Sequence, residues 1–193
     1  NTSAGTDGAV TITGGSGNDS LTSTGTASSE DTVSGGAGDD TITFSGDLAD
    51  ADVINGGAGT DTLVGTGGEL TALTTANNIS NIEVIEVSDS HTGSLTTANI
   101  DSTIKSVTLA AGANAGTVTF GAGTNTLTLG TASAGALTVN DTGLATTDVL
   151  NIATSATANS GNGKAVTIGG FETVNLNSST ATAKTFGAIQ ING

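Results

Sequence analysis

Three aspartates recur at a fixed step of 21 residues, Asp19, Asp40 and Asp61, and each follows a glycine-rich run. The runs read GGSGNDSLT, GGAGDDTIT and GGAGTDTLV. If these carboxylates stack at the strand spacing of about 4.8 Å, neighbours repel by roughly 3 kcal/mol at an effective dielectric of about 20. A divalent cation between them reverses that repulsion. Carboxylate and backbone carbonyl oxygens, without His or Cys, suit Ca²⁺ better than Mg²⁺.

The residues around these aspartates predict the elements that position them. Each run is preceded by a degenerate copy, at 5–13, 26–34 and 47–55, and Asp31 and Asp52 take the place of the motif aspartate in the last two. Two nine-residue half-turns and a three-residue spacer make one coil. Glycine permits positive φ and tight turning, and one aliphatic residue per half-turn points inward. We therefore predict an all-β, right-handed parallel β-helix or β-roll solenoid with few or no helices.

Composition and charge exclude several kinds of binding partner and several classes of protein. The 193 residues carry a net charge of −15 with only three lysines and no arginine, which argues against nucleic acid and anionic membrane as partners. Cysteine is absent, so no disulfide framework exists. No run is long enough for a membrane span, and no signal peptide is visible. Because the chain begins with Asn1, we expect it to be part of a longer protein.

The rest of the chain alternates apolar and polar residues in short runs typical of strands. The predicted strands lie at 84–86, 107–109, 118–120, 127–129, 137–139, 149–152, 166–168, 174–176 and 189–191. The runs 110–116 and 156–163 are predicted turns, and 69–78 is predicted to hold one helical turn. We expect one domain, with β-roll coils at 1–66 and a continuing β-helical region at 67–193.

The three glycine-rich runs resemble the nonapeptide of the RTX (repeat-in-toxin) family, glycine-glycine-x-glycine-x-aspartate-x-aliphatic-x. The resemblance implies several Ca²⁺ ions in the turns, folding after secretion, and type I export. It implies metal ligation by the motif aspartates, with glycine carbonyls as candidate partners: Asp19, Asp40, Asp61, Asp31, Asp52, Gly15, Gly17, Gly36, Gly38, Gly57 and Gly59. Most family members run nonapeptides back to back, so the three-residue spacer predicts two unequal ion columns.

Two later segments, NIEVIEVSD at 81–89 and GGFETVNLN at 169–177, make the chain resemble RTX-type bacterial surface-layer (S-layer) proteins. That resemblance implies a secreted structural protein at the cell surface, self-association into a two-dimensional lattice, and no enzymatic activity. A cell-surface polysaccharide bound through flanking regions stays an open partner. The alternative is a calcium-binding module of a secreted RTX adhesin or of a polysaccharide-modifying enzyme.

The remaining titratable residues have a structural and a functional interpretation. Solvent-facing strand positions are favoured over a further calcium site for Glu83, Glu86 and Asp89, because no glycine loop accompanies them. An exposed or capping role is favoured for Glu172, a turn role for Asp141, and a strand-opening role for Asp148, with an ion at a coil edge as its alternative. His91 lies in a predicted polar loop. Surface positions are expected for Lys105, Lys164 and Lys184.

Overall fold

The computed structural model describes residues 8–24, 29–74, 78–130, 134–143, 147–154, 164–178 and 188–192. The chain forms two compact units, which we call the first unit, Asn1–Glu86 with Ala98–Ile104, and the second unit, Val87–Thr97 with Lys105–Gly193. Each unit is a solenoid of parallel β-strands, which confirms the predicted all-β fold class. The predicted division of one domain at residue 66 stays a prediction.

The strands of the first unit alternate between two parallel sheets. They are β1 Thr11–Ser16, β2 Ser20–Ser23, β3 Thr32–Ala37, β4 Thr41–Phe44, β5 Val53–Ala58, β6 Thr62–Gly65, β7 Ile79–Ser80 and β8 Val84–Val87, of which β8 begins in this unit. One sheet has the order β1-β3-β5-β7, and β2, β4, β6 and β8 are neighbours in the other. Every second strand therefore returns to the same sheet one coil later.

Aliphatic side chains in register form the core of the first unit. Leu21 pairs with Ile42 and Ile42 with Leu63 along one sheet, while Ile12 and Val33 pair in the other. All five are at most 4% exposed. Full burial of such a side chain contributes about 1.5–3 kcal/mol. The thin aliphatic core thus fixes the register that carries each aspartate above the one before it.

A short helix, α1 (Gly67–Ala72), follows β6. Its start is a capping box, in which the Thr66 hydroxyl accepts from the Glu69 N–H and the Glu69 carboxylate accepts from the Thr66 N–H. The predicted helical turn at 69–78 is confirmed, with its start two residues earlier because Thr66 is the cap. A 3₁₀ helix covers Thr97–Asn99. No helix in the described ranges is both long and apolar enough to cross a membrane.

The second unit also consists of two parallel sheets. Its strands are β9 His91–Thr96, β10 Ser106–Leu109, β11 Ala113–Phe120, β12 Thr124–Leu129, β13 Leu137–Asp141, β14 Val149–Thr154, β15 Val166–Gly169, β16 Thr173–Ser178 and β17 Ile189–Asn192. One sheet contains β10-β12-β14-β16, and the other has the order β9-β11-β13-β15-β17. These strands and β8 contain every strand predicted from residue 84 onward, so that part of the prediction is confirmed.

The predicted turn at 110–116 is wrong in its second half, because β11 begins at Ala113. An irregular register between Ala113 and Gly116, with Ala115 at φ 62°, lets the strand absorb the small residues as a bulge. The other predicted turn, 156–163, lies outside the described residues.

Candidate metal centre

Each motif aspartate stands directly before a short strand. Asp19 precedes β2, Asp40 precedes β4 and Asp61 precedes β6. The preceding strand ends within the glycine run, so the chain turns sharply between the two sheets. The second glycines of two successive motifs, Gly36 and Gly57, adopt φ of 113° and 111°, values that residues with a Cβ rarely adopt. The glycines thereby turn the chain and bring each aspartate to the inside of the bend.

Hydrogen bonds join the motif aspartates of successive coils into a column. The Asp40 Oδ1 atom accepts from the Asp19 N–H at 2.8 Å, and the Asp61 Oδ1 atom accepts from the Asp40 N–H at 2.8 Å. Glu83 continues the series, since its Oε2 atom accepts from the Asp61 N–H at 2.9 Å. Each carboxylate is therefore fixed by the backbone of the preceding coil.

The second oxygen of two motif carboxylates has no donor. The Oδ2 atoms of Asp40 and Asp61 are buried and unpaired within the described part of the chain, and the two residues are 1% and 0% exposed. Leaving such a charged oxygen buried without a partner is strongly unfavourable. A cation is the partner that would remove this cost while keeping the carboxylate ionised, so the donor set fits the predicted metal.

Space beside these unpaired oxygens is reserved by the first glycine of each motif. A Cβ on Gly35 would lie 2.3 Å from Asp40 Oδ2, and a Cβ on Gly56 would lie 2.6 Å from Asp61 Oδ2. Any other residue at these positions would collide with the carboxylate. The same glycine that begins the turn therefore keeps the interior of the bend open.

Electrostatics around Asp61 oppose its ionisation. Burial raises the pKa of Asp61 most, and the N–H of Asp40 acts in the opposite direction. The negative charges of Asp40, Glu83 and Asp39 raise that pKa further. A cation in the bend would offset both burial and repulsion, because it stabilises the charged form.

The second predicted column, Asp31 and Asp52, is built differently. Both residues are 1% exposed, yet both oxygens of each have protein donors. Asp31 accepts from the Val10 N–H at 2.9 Å and from the Ser23 hydroxyl at 2.6 Å. Asp52 accepts from the N–H groups of Asp31 and Ala49, at 2.9 and 2.8 Å. These carboxylates brace the coil, in line with the expectation of unequal columns, and their role as ligands stays a prediction.

Asp52 also has a raised pKa. Burial is the largest cause, and the charges of Asp31 and Asp47 act in the same direction, while the two backbone hydrogen bonds lower it. Asp47 belongs to the same buried group, since its Oδ2 atom lies 2.8 Å from the Ser23 hydroxyl oxygen, whose single proton is directed to Asp31 at the shorter distance.

The glycines predicted to supply carbonyl ligands all have positive φ: Gly15, Gly17, Gly36, Gly38, Gly57 and Gly59. The middle residues of the motif also stack between coils. A Cβ on Gly36 would lie 2.1 Å from the Gly15 oxygen, and one on Gly57 would lie 2.0 Å from the Gly36 oxygen. The carbonyls are thus aligned along the stack, and their coordination of a metal stays a prediction.

Sequence reasoning missed two contributors to this region. Glu83 was expected to face solvent, but it is partly buried and binds the Asp61 N–H. Its step from Asp61 is 22 residues and no glycine run precedes it, so the repeat gave no signal. Asp39 was also missed: its Oδ1 atom accepts from the Thr60 N–H at 2.8 Å, and its own N–H donates to Asn18 at 3.0 Å. A polar fifth motif residue in every copy was the available signal.

The histidine, the lysines and the remaining acidic residues of the sequence analysis differ in their burial and contacts. His91 was expected in a polar loop, which is wrong: it begins β9, is 0% exposed, and its Nε2 atom lies 3.0 Å from the Thr117 oxygen. Lys105 Nζ donates to the Ala122 carbonyl at 3.0 Å in an exposed position. Exposure is found for Asp89, Lys164 and Glu172, partial burial for Glu86, and Lys184 lies outside the described residues.

No cluster of three or more Asp, Glu, His or Cys side chains suited to a metal occurs among the residues that the structure describes. The column instead offers one carboxylate per coil, so most ligands of a bound ion must come from backbone carbonyls and water. This is compatible with Ca²⁺, which takes 6–8 oxygen ligands in flexible geometry.

Comparison with known protein families identifies the coils. A family model of the RTX calcium-binding nonapeptide repeat, spanning four copies, matches residues 1–25, 27–47 and 47–69. No curated protein and no solved structure matches the chain. The matched region contains all five predicted ligand aspartates, so the repeat suggested by three glycine runs is confirmed.

Proposed function

We propose, from the premise that residues 1–69 of this chain are RTX calcium-binding nonapeptide repeats, that the protein is a structural component of a calcium-dependent bacterial surface layer. In this proposal Ca²⁺ drives folding outside the cell and assembly into a two-dimensional lattice of identical subunits. The protein is secreted to the cell surface and has no catalytic activity. The repeats themselves indicate a calcium-binding β-roll module of the kind found in secreted proteins.

The observation that carries the proposal is the unpaired Oδ2 atom of Asp40 and of Asp61. Because these oxygens are buried and charged in the folded coil, the calcium-free fold is destabilised, and a bound cation removes that destabilisation. Ca²⁺ that binds only the folded state adds its binding free energy to the stability of the fold. Sites of extracellular modules have Kd values of about 10⁻⁴–10⁻³ M, so the chain folds where calcium is abundant and not where it is scarce.

The lattice part of the proposal is supported by composition. The 18 acidic side chains and three lysines give the chain a net charge of −15, so identical subunits repel one another in the absence of counterions. Divalent ions at subunit contacts offset that repulsion. Folding and assembly thus both depend on the same ion.

Electron microscopy of the purified chain in Ca²⁺, in EGTA and in Mg²⁺ tests the proposal. Ordered sheets are expected in Ca²⁺ alone, and circular dichroism is expected to lose β signal in EGTA. Folded monomers that never form sheets in Ca²⁺ would contradict the lattice and support the module alternative. Sheets and β signal that persist in EGTA would contradict the calcium mechanism.

The alternative is a calcium-binding module of a secreted adhesin or polysaccharide-modifying enzyme. A module that binds sugar needs exposed aromatic rings for stacking. The phenylalanines within the described ranges, Phe44, Phe120 and Phe171, are at most 6% exposed, and the chain has no Trp or Tyr. These facts favour the surface layer over a carbohydrate-binding module.

A further inference from the structure

The turn between β13 and β14 in the second unit begins and ends with an aspartate. Asp141 is the last residue of β13 and Asp148 directly precedes β14. Register places Asp141 beside Phe120 and Val149 beside Thr124 in the preceding coil. The Thr142 N–H donates to the Phe120 oxygen at 2.9 Å and the Val149 N–H donates to the Gly123 oxygen at 3.0 Å. Both ends of this turn are therefore held over the Gly121–Gly123 turn below.

Asp148 is fully buried and held by both neighbouring coils. It is 0% exposed, and its Oδ1 atom accepts from the Gly123 N–H of the coil before. Its own N–H donates to the Glu172 carboxylate of the coil after, at 2.7 Å. The Asp148 Oδ2 atom is buried and has no donor in the described part of the chain.

Asp141 presents a second buried oxygen to the same place. Its Oδ1 atom accepts from the Gly143 N–H at 3.0 Å, whereas its Oδ2 atom has no donor among the described residues. A Cβ on Gly143 would lie 2.8 Å from that Oδ2 atom and 2.7 Å from the Ala122 Cβ, which places the oxygen over the turn below. The Asp148 carboxyl group lies over the same turn, because its Oδ1 atom accepts from the Gly123 N–H.

Two carboxylates over one turn, each with one buried oxygen that lacks a donor, repel unless something positive lies between them. Burial raises the pKa of Asp141 most, and the carboxyl of Asp148 and the charge of Glu172 raise it further, against a lowering by the Gly143 N–H. The nearby ammonium of Lys105 donates to the Ala122 oxygen and to neither Oδ2 atom. The pair thus takes either a shared proton or a cation.

The acid column of the first unit has the same local design. There Asp40 accepts from the Asp19 N–H one coil earlier and keeps its Oδ2 atom unpaired. In the second unit Asp148 relates to Gly123 in the same way, although no nonapeptide is present. The Asn125 amide, which donates to the oxygens of Gly121 and Gly123 at 2.8 and 3.2 Å, fixes the turn that glycine repeats fix elsewhere.

We propose that Asp141 and Asp148 bind one Ca²⁺ ion through their Oδ2 atoms, at a site in the second unit that is separate from the nonapeptide repeats. The donors are all oxygen, which selects a hard cation. Ca²⁺ is favoured over Mg²⁺ because two carboxylates supplemented by water and backbone oxygens suit its flexible coordination. The ion would join the two ends of one turn and neutralise the repulsion between them.

Calcium stoichiometry of the full chain tests the site. Equilibrium dialysis with radioactive calcium is expected to show one ion fewer per chain for Asp141→Asn and for Asp148→Asn than for the original protein. Asp50→Asn is the matched control, because Asp50 is an exposed carboxylate that bonds Thr74, and its removal is expected to leave the stoichiometry unchanged. An unchanged count in a folded Asp141→Asn chain would show that the pair shares a proton, and the proposal would fail.

Terbium-soaked crystals of the original chain provide a test that does not depend on the folding of a variant. An anomalous peak between the Oδ2 atoms of Asp141 and Asp148 is expected. Peaks beside Asp40 and Asp61 with none at this position would overturn the second-unit site and leave the proposed function intact. A peak at this position with none in the first unit would uphold the site and contradict the calcium mechanism of the proposed function.

Discussion

The Asp61 Oδ1 atom accepts a hydrogen bond of 2.8 Å from the Asp40 N–H, while the Asp61 Oδ2 atom is buried without a donor among the described residues. One carboxylate thus holds the preceding coil with one oxygen and offers the other to a cation. The hydrogen bond to the first oxygen involves no metal, whereas the buried second oxygen lacks any donor and would be stabilised by a cation. Because the two oxygens have separate roles, a bound calcium ion would add to stability without being the only link between coils.

Replacing Asp40 or Asp61 by asparagine is expected to reduce the stabilisation that calcium provides. The amide oxygen can still accept the backbone N–H, but the charge that binds the ion is lost. At a calcium concentration ten times Kd, each lost site removes about 1.4 kcal/mol of stabilisation. Urea unfolding in calcium measures this change.

Asp39→Asn is the matched control for these variants, because Asp39 is adjacent, exposed and changes the net charge equally. Its calcium-dependent stabilisation should stay close to that of the original protein. An equal loss in Asp39→Asn would mean that net charge, and not the unpaired Oδ2 atoms, determines calcium binding.

Gly35→Ala is expected to destabilise the calcium-loaded fold. The added methyl group would lie 2.3 Å from Asp40 Oδ2 and 2.4 Å from the Gly56 oxygen. Overpacking of this kind costs about 1–3 kcal/mol, and calcium affinity should fall because the carboxylate must move. Gly8→Ala, where the methyl group meets no atom within 4 Å, serves as control in calcium titrations and urea unfolding. Equal stability and calcium affinity in the two variants would contradict the assigned role of Gly35.

Acidification is expected to affect calcium-free and calcium-loaded protein in opposite directions. The pKa values of Asp52, Asp61 and Asp141 are raised in the folded state, with burial as the largest cause. Without metal their ionisation destabilises the fold above the raised pKa. That destabilisation is relieved as pH falls through the raised pKa toward the ordinary aspartate pKa of 3.8. With calcium present, protons compete with the ion, so stability should fall with pH.

Circular dichroism between pH 7 and pH 4 in EGTA, and thermal unfolding over the same range in calcium, measure the two trends. The pKa of Glu69 is shifted in the opposite direction. Burial alone would raise it, but hydrogen bonds from Thr66, Leu48 and Gly46 outweigh burial and lower it. The stabilisation from ionised Glu69 is present above the ordinary glutamate pKa of 4.5 and is lost below it as pH falls through the lowered pKa. Parallel trends in EGTA and calcium would contradict a role for the raised carboxyls in metal binding.

Glu69→Ala is expected to destabilise the first unit independently of calcium. The Glu69 carboxylate accepts from the N–H groups of Gly46 and Leu48 at 2.8 and 3.0 Å, in addition to capping α1 at Thr66. Removal leaves the part-buried Leu48 N–H without an acceptor, at a cost of about 1–3 kcal/mol, while water replaces the bond of the exposed Gly46 N–H. Thr66→Ala removes the cap alone and should cost about 1 kcal/mol. Urea unfolding compares the two, and an equal effect would mean that the bonds to Gly46 and Leu48 contribute nothing.

The repeat predicts much of the first unit, because glycine and aspartate spacing there sets both the turn and the register. The pairing of Leu21, Ile42 and Leu63, and the column of motif aspartates, follow from a constant step of 21 residues. The inequality between the Asp40 and Asp31 columns could not be predicted in detail. It depends on donors from Ser23, a residue of the three-residue spacer, and from Ala49, the third residue of a degenerate copy.

The approach of Asp141 to Asp148 is invisible in the sequence because it depends on register between coils of unequal length. The step from Thr124 to Val149 is 25 residues, whereas that from Phe120 to Asp141 is 21. Alternation identifies the strands and says nothing of such offsets. His91 was misplaced for a related reason: its polar neighbours indicate a loop, while the space above Gly116 admits the imidazole into a strand, 2.3 Å from where a Cβ would lie.

The backbone N–H of each motif aspartate has its acceptor in the following coil. The N–H groups of Asp19, Asp40 and Asp61 donate to the carboxylates of Asp40, Asp61 and Glu83 in that order. The hydrogen bonds of the stack accordingly all run in one direction, from an N–H in one coil to a carboxylate in the next. A defect in one coil therefore leaves the N–H of the motif aspartate in the preceding coil without its acceptor, while the hydrogen bonds of more distant coils are retained.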